Sequence, residues 1–190
     1  MDLINRKEHL TPSGLQQIVN IRASINKGLS SNLKAAFANT LPVQRPFIQD
    51  QMITDPNWIA GFASGESCFI VRIYKSLTYR LGESAYLTFY ITQHYRDEQL
   101  MNSLVSYFGC GKVSKRSNKV AIDYIVTKIE DLTEKVLPFF EKYNIIGEKS
   151  KDFEDFKQVA ELIKNKAHLT IEGLEEIKKF KMGMNKGRKE

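Results

Sequence analysis

The thirteen residues from Asn57 to Phe69, NWIAGFASGESCF, constrain the fold more than any other stretch of the chain. Asp55 and Pro56 stand before them, an acceptor for free backbone amides and a residue suited to the first helical position. A helix is therefore predicted to open here, with Trp58, Ile59 and Phe62 as its bulky apolar residues. Gly61 and Gly65 lie four apart, and Ala60 and Ser64 stand beside them at the same spacing. Residues at i and i+4 share a face, so one side of the helix is nearly bare. Each interior Gly costs about 1 kcal/mol against Ala, and close approach of a second helix would explain two of them. Glu66 falls at the C-terminal end, where a carboxylate meets the negative pole of the helix dipole and calls for a nearby cation. Alternation and β-branched residues then begin a strand at Cys68–Lys75, CFIVRIYK. A small-faced helix thus delivers an acid to the mouth of a sheet. A tight core helix ending in a solvated Glu would read the same way, and spacing alone leaves both open.

A second feature is a repeat. KEHLTPSGLQQIVNIRASINKG, Lys7 to Gly28, returns as KAHLTIEGLEEIKKFKMGMNKG, Lys166 to Gly187, at a constant offset of 159. Each copy reads as a Thr cap, an amphipathic helix and an Asn-Lys-Gly stop. A period of that size means that only the end of the repeating unit occurs twice. The expected organisation is residues 1–38 as the closing helices of a preceding repeat, 39–55 as a linker carrying Pro42 and Pro46, and 56–190 as a complete second unit. The linker reads as semi-rigid.

Beyond the first strand, Ser76–Ser84 is expected as a loop or hairpin tip and Tyr86–Gln93 (YLTFYITQ) as a second strand. Arg96–Phe108 has helical spacing and ends at Gly109-Cys110-Gly111. Lys112–Arg116 and Lys119–Thr127 form a second hairpin across Ser117-Asn118, and Glu130–Tyr143 and Lys149–Asn165 precede the last capped helix. The fold class is α+β, an αββαββα unit whose antiparallel sheet has helices on one face and leaves the other free.

Alternation sorts that sheet. Phe69, Val71 and Ile73, with Leu87, Phe89 and Ile91, point to the core. Ile70, Arg72, Tyr74, Tyr86, Thr88, Tyr90 and Thr92 point outward, as do Lys112, Ser114, Arg116, Asp123, Ile125 and Thr127. Lys75, Tyr79 and Arg80 make a basic, aromatic tip. Such residues suit phosphate contacts and base reading, and they equally suit a solvated face. The net charge of +6, from 28 basic and 22 acidic residues, is compatible with nucleic acid but shared by many proteins that bind none. Two cysteines, Cys68 and Cys110, are too few for a disulfide scaffold or a zinc site, and both are expected reduced and at least partly buried. No run long enough to span a bilayer and no signal-peptide pattern occurs, so the chain is expected to be soluble, intracellular and without a membrane partner.

The nine residues IAGFASGES, Ile59 to Ser67, resemble the signature of the LAGLIDADG homing endonucleases. The match keeps Ala60-Gly61, a small residue at Gly65 and the acid at Glu66; Ser64 stands where an acid often occurs and Ser67 where the family usually has Gly. The resemblance implies that Glu66 is the metal-binding carboxylate of this half and that the backbone at Ser67 lies next to the metals. It implies a saddle-shaped sheet in the major groove, read by the outward residues above. It also implies a side-by-side pairing of two signature helices through Ala60, Gly61, Ser64 and Gly65. Gln93 matches a polar position near the attacking water, and Lys149 a basic position beside the catalytic centre. His94 reads as surface, and His9 and His168 as structural.

The implied reaction is hydrolysis of double-stranded DNA with a divalent cation, Mg²⁺ above all, since hard cations take carboxylate oxygen and leave room for water and phosphate. One signature helix makes only half of such a centre. The chain is expected to pair with itself, to need a missing first half as its second LAGLIDADG unit, or to bind DNA without cutting. A maturase acting on intron RNA is the alternative from another class, and a plain structural α/β module a third. Family habit points to a mitochondrial setting.

Overall fold

The computed structural model describes residues 2–45, 52–75, 77–117 and 120–188. Pro46 and the rest of 46–51, Ser76, and Asn118 and Lys119 of the second hairpin lie outside the described residues. The chain divides into two compact units, 1–49 and 50–190. The first holds α1 (Asp2–Asn5), α2 (Pro12–Ala23) and α3 (Ser31–Ala36). Ser30 caps α3 by accepting from the Leu33 amide. Thr40 and the extended segment at 41–45 fold back on α2. There Ser24 Oγ donates to the Val43 carbonyl at 2.5 Å, and Asn20 Oδ1 accepts from the Leu41 amide at 3.2 Å.

The second unit runs α4 (Pro56–Glu66), β1 (Ser67–Lys75), β2 (Glu83–His94), α5 (Glu98–Phe108), β3 (Lys112–Lys115), β4 (Ala121–Val126), α6 (Ile129–Asp131), α7 (Leu137–Lys142), α8 (Lys149–Lys164) and α9 (Ile171–Gly183). Its strands form one antiparallel sheet in the order β1-β2-β4-β3. This is the αββαββα unit, with helices packed on one face. Phe69 and Phe89 sit at its centre, both with no exposed surface, ringed by Phe140, Phe153 and Phe156. Burying side chains of this size is worth roughly 1.5–3 kcal/mol each, which makes this aromatic cluster the anchor of the unit. Val71, Leu87 and Ile91 are buried beside it as alternation requires, while Ile73, nearer the sheet's end, is half-buried.

Several boundaries differ from the sequence reading for physical reasons. β2 starts at Glu83 rather than Tyr86, because Ser84 pairs with Tyr74 and Glu83 with Lys75; cross-strand pairing overrides weak local propensity. β4 stops at Val126, which leaves Thr127 exposed beyond the sheet. The helix expected over Glu130–Tyr143 widens into a π turn at Leu132–Val136, where the Leu137 amide bonds to the Leu132 carbonyl. Pro138 follows at once; it has no N–H for Glu134 and its ring crowds that carbonyl.

The repeat is structural as well as sequential. Lys7 and Lys166 both have φ 59°, Thr11 and Thr170 both accept from a Gly amide at 3.1 Å, and Asn26 and Asn185 both adopt left-handed backbone at φ 50° and 55°. A Cβ on Gly14 would lie 2.0 Å from the Glu8 carbonyl oxygen, and one on Gly173 would lie 2.2 Å from that of Ala167. Each glycine is therefore dictated by a backbone touching it. Gly173→Ala is expected to destabilise the second unit by roughly 3 kcal/mol, read as a lower Cm in urea with unchanged m.

Candidate nucleic-acid interface and acidic centre

The helix α4 forms as its sequence predicts. Asp55 Oδ1 accepts from the Asn57 amide at 2.9 Å, and Pro56 occupies the first turn. Its sides divide differently from the sequence reading. Ile59, Ala60 and Ala63 are buried in the unit's own core, whereas Trp58 and Phe62 stack on each other at 4.9 Å and Trp58 is half-open. A Cβ on Gly61 or Gly65 would meet nothing within 4 Å, so the bare side is theirs. Ala60 and Ser64 do not share it. Ala60 is buried, and Ser64 Oγ donates to the Ala60 carbonyl at 2.7 Å while accepting from the Ile146 amide at 3.0 Å. One residue turns the helix by about 100°, enough to move both off the bare side, Ala60 into a buried position and Ser64 to the Ile146 amide.

Glu66 is exposed at the end of α4 and, among the described residues, makes no hydrogen bond or ion pair. The cation its position demands is present. Lys149, opening α8, reaches back so that Nζ donates to the Gly65 carbonyl at 3.0 Å and the Ala63 carbonyl at 3.3 Å. Burial lowers the Lys149 ammonium below the ordinary lysine value, and the charges of Cys68, Glu66 and Asp152 pull it partly back. Lys149 thus neutralises the negative end of the helix and leaves the Glu66 carboxylate free. Lys149→Met, which keeps most of the stem, is expected to cost about 1 kcal/mol of unfolding free energy, measured by urea titration.

Ser67 stands at φ −83°, ψ 165°, extended backbone that any residue adopts, and its hydroxyl donates to the Ala63 carbonyl at 2.5 Å. The Ser side chain is turned into the helix and buried, so only its backbone faces the Glu66 end. Gln93 lies two residues beyond Ile91, the partner of Ser67, and so at the same end of the sheet as Glu66. Its Oε1 accepts from the His94 amide at 3.0 Å. His94 is half-buried rather than a plain surface residue: its Nδ1 caps the following turn by accepting from the Arg96 amide. His9 and His168 have buried Nδ1 atoms without a partner among the described residues, in keeping with a structural role.

The outward sheet face carries a fixed centre and free edges. In the centre Asp123 is nearly buried and is gripped by Arg116, Nε to Oδ2 at 2.6 Å and Nη2 to Oδ1 at 2.7 Å. Thr92 Oγ1 donates to the same carboxylate at 2.6 Å, and the guanidinium lies over the Tyr90 ring. Asp123 and Thr92 therefore hold Arg116 instead of standing free. Thr88 is also taken out of reach, its hydroxyl buried and without a partner among the described residues. Ile70, Ser114 and Ile125 are half-buried between these residues. Towards the tip Tyr74 donates to the Tyr79 hydroxyl at 2.7 Å and meets Tyr86 edge to face. Arg72, Lys75 and Arg80 are exposed around this frame and Lys112 on the opposite edge strand, and Arg72, Arg80 and Lys112 make no salt bridge among the described residues.

One residue was read from sequence only as a helix stop. Asn185 bridges the carboxyl-terminal helix to the edge strand: its Nδ2 donates to the Phe69 carbonyl at 3.1 Å, its Oδ1 accepts from Cys68, and its amide donates to Asp152. Its recurrence as Asn26 in the repeat was the available signal. Both cysteines are free, and no helix among the described residues is long and apolar enough to cross a membrane.

A four-stranded antiparallel sheet with one open, basic face, entered by a bare-sided helix that ends in a free acid, defines a LAGLIDADG unit. The family model for LAGLIDADG endonuclease matches residues 59–160, and the chain belongs to that family. Among similar proteins is "Probable intron-encoded endonuclease 3" of Neurospora crassa, 45% identical over 176 residues, which are 92% of this chain and 33% of that protein. "Probable intron-encoded endonuclease 2" of the same fungus is 38% identical over 191 residues, covering 95% of this chain and 41% of that protein. The crystal structure of the I-SmaMI LAGLIDADG homing endonuclease bound to cleaved DNA superposes with a TM-score of 0.95 at 48% identity, over 99% of this chain and 63% of that one. I-LtrWI bound to target DNA superposes at 0.94 with 44% identity, again over 99% and 63%. The chain thus spans less than half of these curated relatives and under two thirds of the solved chains.

Proposed function

We propose that residues 56–190 are one half of a site-specific double-stranded DNA endonuclease, completed by a second LAGLIDADG unit. The observation that carries this is Glu66: an exposed carboxylate, unpaired among the described residues, at the end of a helix with an open Gly61–Gly65 side. The solved relatives bound to DNA and the naming of the curated relatives as endonucleases support it. In this reading residues 1–38 are the closing helices of a preceding unit and 39–55 the linker. A mitochondrial setting belongs to the same proposal, drawn from the intron-encoded relatives.

The donor set fits half a divalent metal centre. Glu66 offers hard anionic oxygen, the ligand Mg²⁺ takes. Among the described residues no group of three or more His, Cys, Asp or Glu is placed to hold an ion. The remaining oxygens would be supplied by a second unit's acid and by DNA phosphate. Bound there, the cation supplies charge for the attacking and leaving oxygens. Lys149 keeps the helix end neutral, Gln93 orients the attacking water, and the exposed cations around the tyrosine frame hold phosphates. Solved I-SmaMI with uncleaved target DNA and calcium ions is compatible with that requirement.

Filter binding of the full chain to duplex DNA and to structured RNA at matched salt tests the class of ligand. Duplex preferred at each salt concentration is the expected result; preference for RNA would favour a maturase instead. Arg116, held along its Nε–Nη2 edge by Asp123, is expected to read guanine. Asp123→Ala should therefore cut discrimination at one base position by about 1–3 kcal/mol, measured by competition with single-base variants, with little change in non-specific affinity.

A further inference from the structure

His94 closes β2 at the end of the sheet where α4 delivers Glu66. It follows Thr92 by two residues and pairs across to Ala121, so it lies on the same outward face as the Arg116–Asp123 centre. Three contacts hold it. Its Nδ1 accepts from the Arg96 amide at 3.1 Å, the Tyr95 ring stacks on it with centroids 4.7 Å apart, and its own amide donates to Gln93 Oε1 at 3.0 Å. A ring nitrogen that accepts an N–H carries no proton, which leaves the imidazole proton on Nε2. Nε2 makes no hydrogen bond to a described residue and is not buried, so solvent reaches it. Ala121 opposite brings only a methyl group. The ring is thus a fixed single donor on an open face.

Arg96 adds charge beside that donor. Its backbone amide is the group that fixes the ring, and its side chain is 59% exposed. The ion pair it makes with Asp97 is 3.7 Å long, beyond hydrogen-bond reach. Resting on the endonuclease reading above, we propose that His94 Nε2 and the Arg96 guanidinium together hold one backbone phosphate of a bound duplex at the Glu66 end of the sheet. Both groups only donate, and a phosphate offers several acceptor oxygens with a full negative charge. Reading a base takes a fork fixed in its plane, as Arg116 has on Asp123. A lone donor beside an unfixed cation instead sets the register of the duplex backbone. His94 is on this account a positioning residue, and its cap on the Arg96 amide serves to aim Nε2.

Two substitutions separate the ring's nitrogens. In His94→Asn the amide oxygen falls where Nδ1 stood, so the cap is kept and the outer donor is lost. In His94→Gln an amide N–H reaches the place of Nε2, and the cap is lost. The full chain is titrated with duplexes of unrelated sequence at several salt concentrations, and Tm is followed beside it. His94→Asn should hold Tm within about 1 °C and weaken binding about tenfold on every duplex alike. His94→Gln should lower Tm by about 3 °C and keep affinity within about threefold of the parent. Arg96→Gln should flatten the slope of log affinity against log salt by about one, which His94→Asn leaves as it is. Full affinity in His94→Asn, a loss confined to one base pair, binding weaker in Gln than in Asn, or a slope unmoved by Arg96→Gln would each overturn the inference. In those cases the parent still holds duplex and the endonuclease reading stands. A parent chain that retains no duplex sinks both.

Discussion

Glu66→Gln is expected to abolish strand cleavage while leaving DNA binding almost unchanged. The carboxylate is exposed and makes no hydrogen bond or ion pair among the described residues, so stability should move by less than about 0.5 kcal/mol on its loss. Its amide replacement has the same shape but cannot supply anionic oxygen to a hard cation. The expected loss is at least roughly 10³-fold in cleavage rate, the upper end for one electrostatic group. The assay is single-turnover cutting by this chain joined to a second LAGLIDADG unit, beside a binding isotherm in calcium. Equal cutting by Gln would remove Glu66 from the centre. By itself the chain should cut no faster than background, because one helix brings one acid.

Gly61→Leu is expected to give the opposite pattern, a sounder unit that no longer assembles. An added side chain at Gly61 meets nothing within 4 Å inside the unit, and replacing an interior helical Gly gains up to about 1 kcal/mol. The same side chain stands where a second helix would make its closest approach. Cm in urea should therefore rise or hold, while pairing with a second unit, read by light scattering, falls at least about tenfold. Gly173→Ala makes the contrast: that glycine touches backbone within its own unit, and the penalty there is to folding. The two substitutions separate a glycine set by backbone inside the unit from one whose side is open.

The chain's own residues announced much of this. Asp55-Pro56 opened the helix, Gly61 and Gly65 marked its bare side, and alternation from Phe69 to Ile91 sorted the sheet faces as the structure has them. An acid at the C-terminal end of α4 also calls for a cation, and Lys149 fills that place from 83 residues beyond Glu66. What sequence could not give were the relations set by packing. Ala60 and Ser64 look like Gly61 and Gly65 in one dimension, yet a turn of about 100° per residue leaves Ala60 buried and brings Ser64 to the Ile146 amide. Asp123 reads as an outward polar residue, and only the strand register brings Arg116 and Thr92 onto both its oxygens. The π turn before Pro138 and the stitch by Asn185 are likewise tertiary facts, although the recurrence of Asn26 pointed to the second.

The measurement that tests the central claim most directly is a selection of the full chain on a pool of random duplex DNA at physiological salt, with calcium in place of magnesium. The account predicts that the retained molecules share one asymmetric motif, the half-site of a single sheet. It further predicts that Asp123→Ala blurs one guanine in that motif while Gly61→Leu leaves the whole of it intact. A retained pool with no shared motif, bound only as strongly as the starting pool, would contradict the claim that this sheet reads DNA.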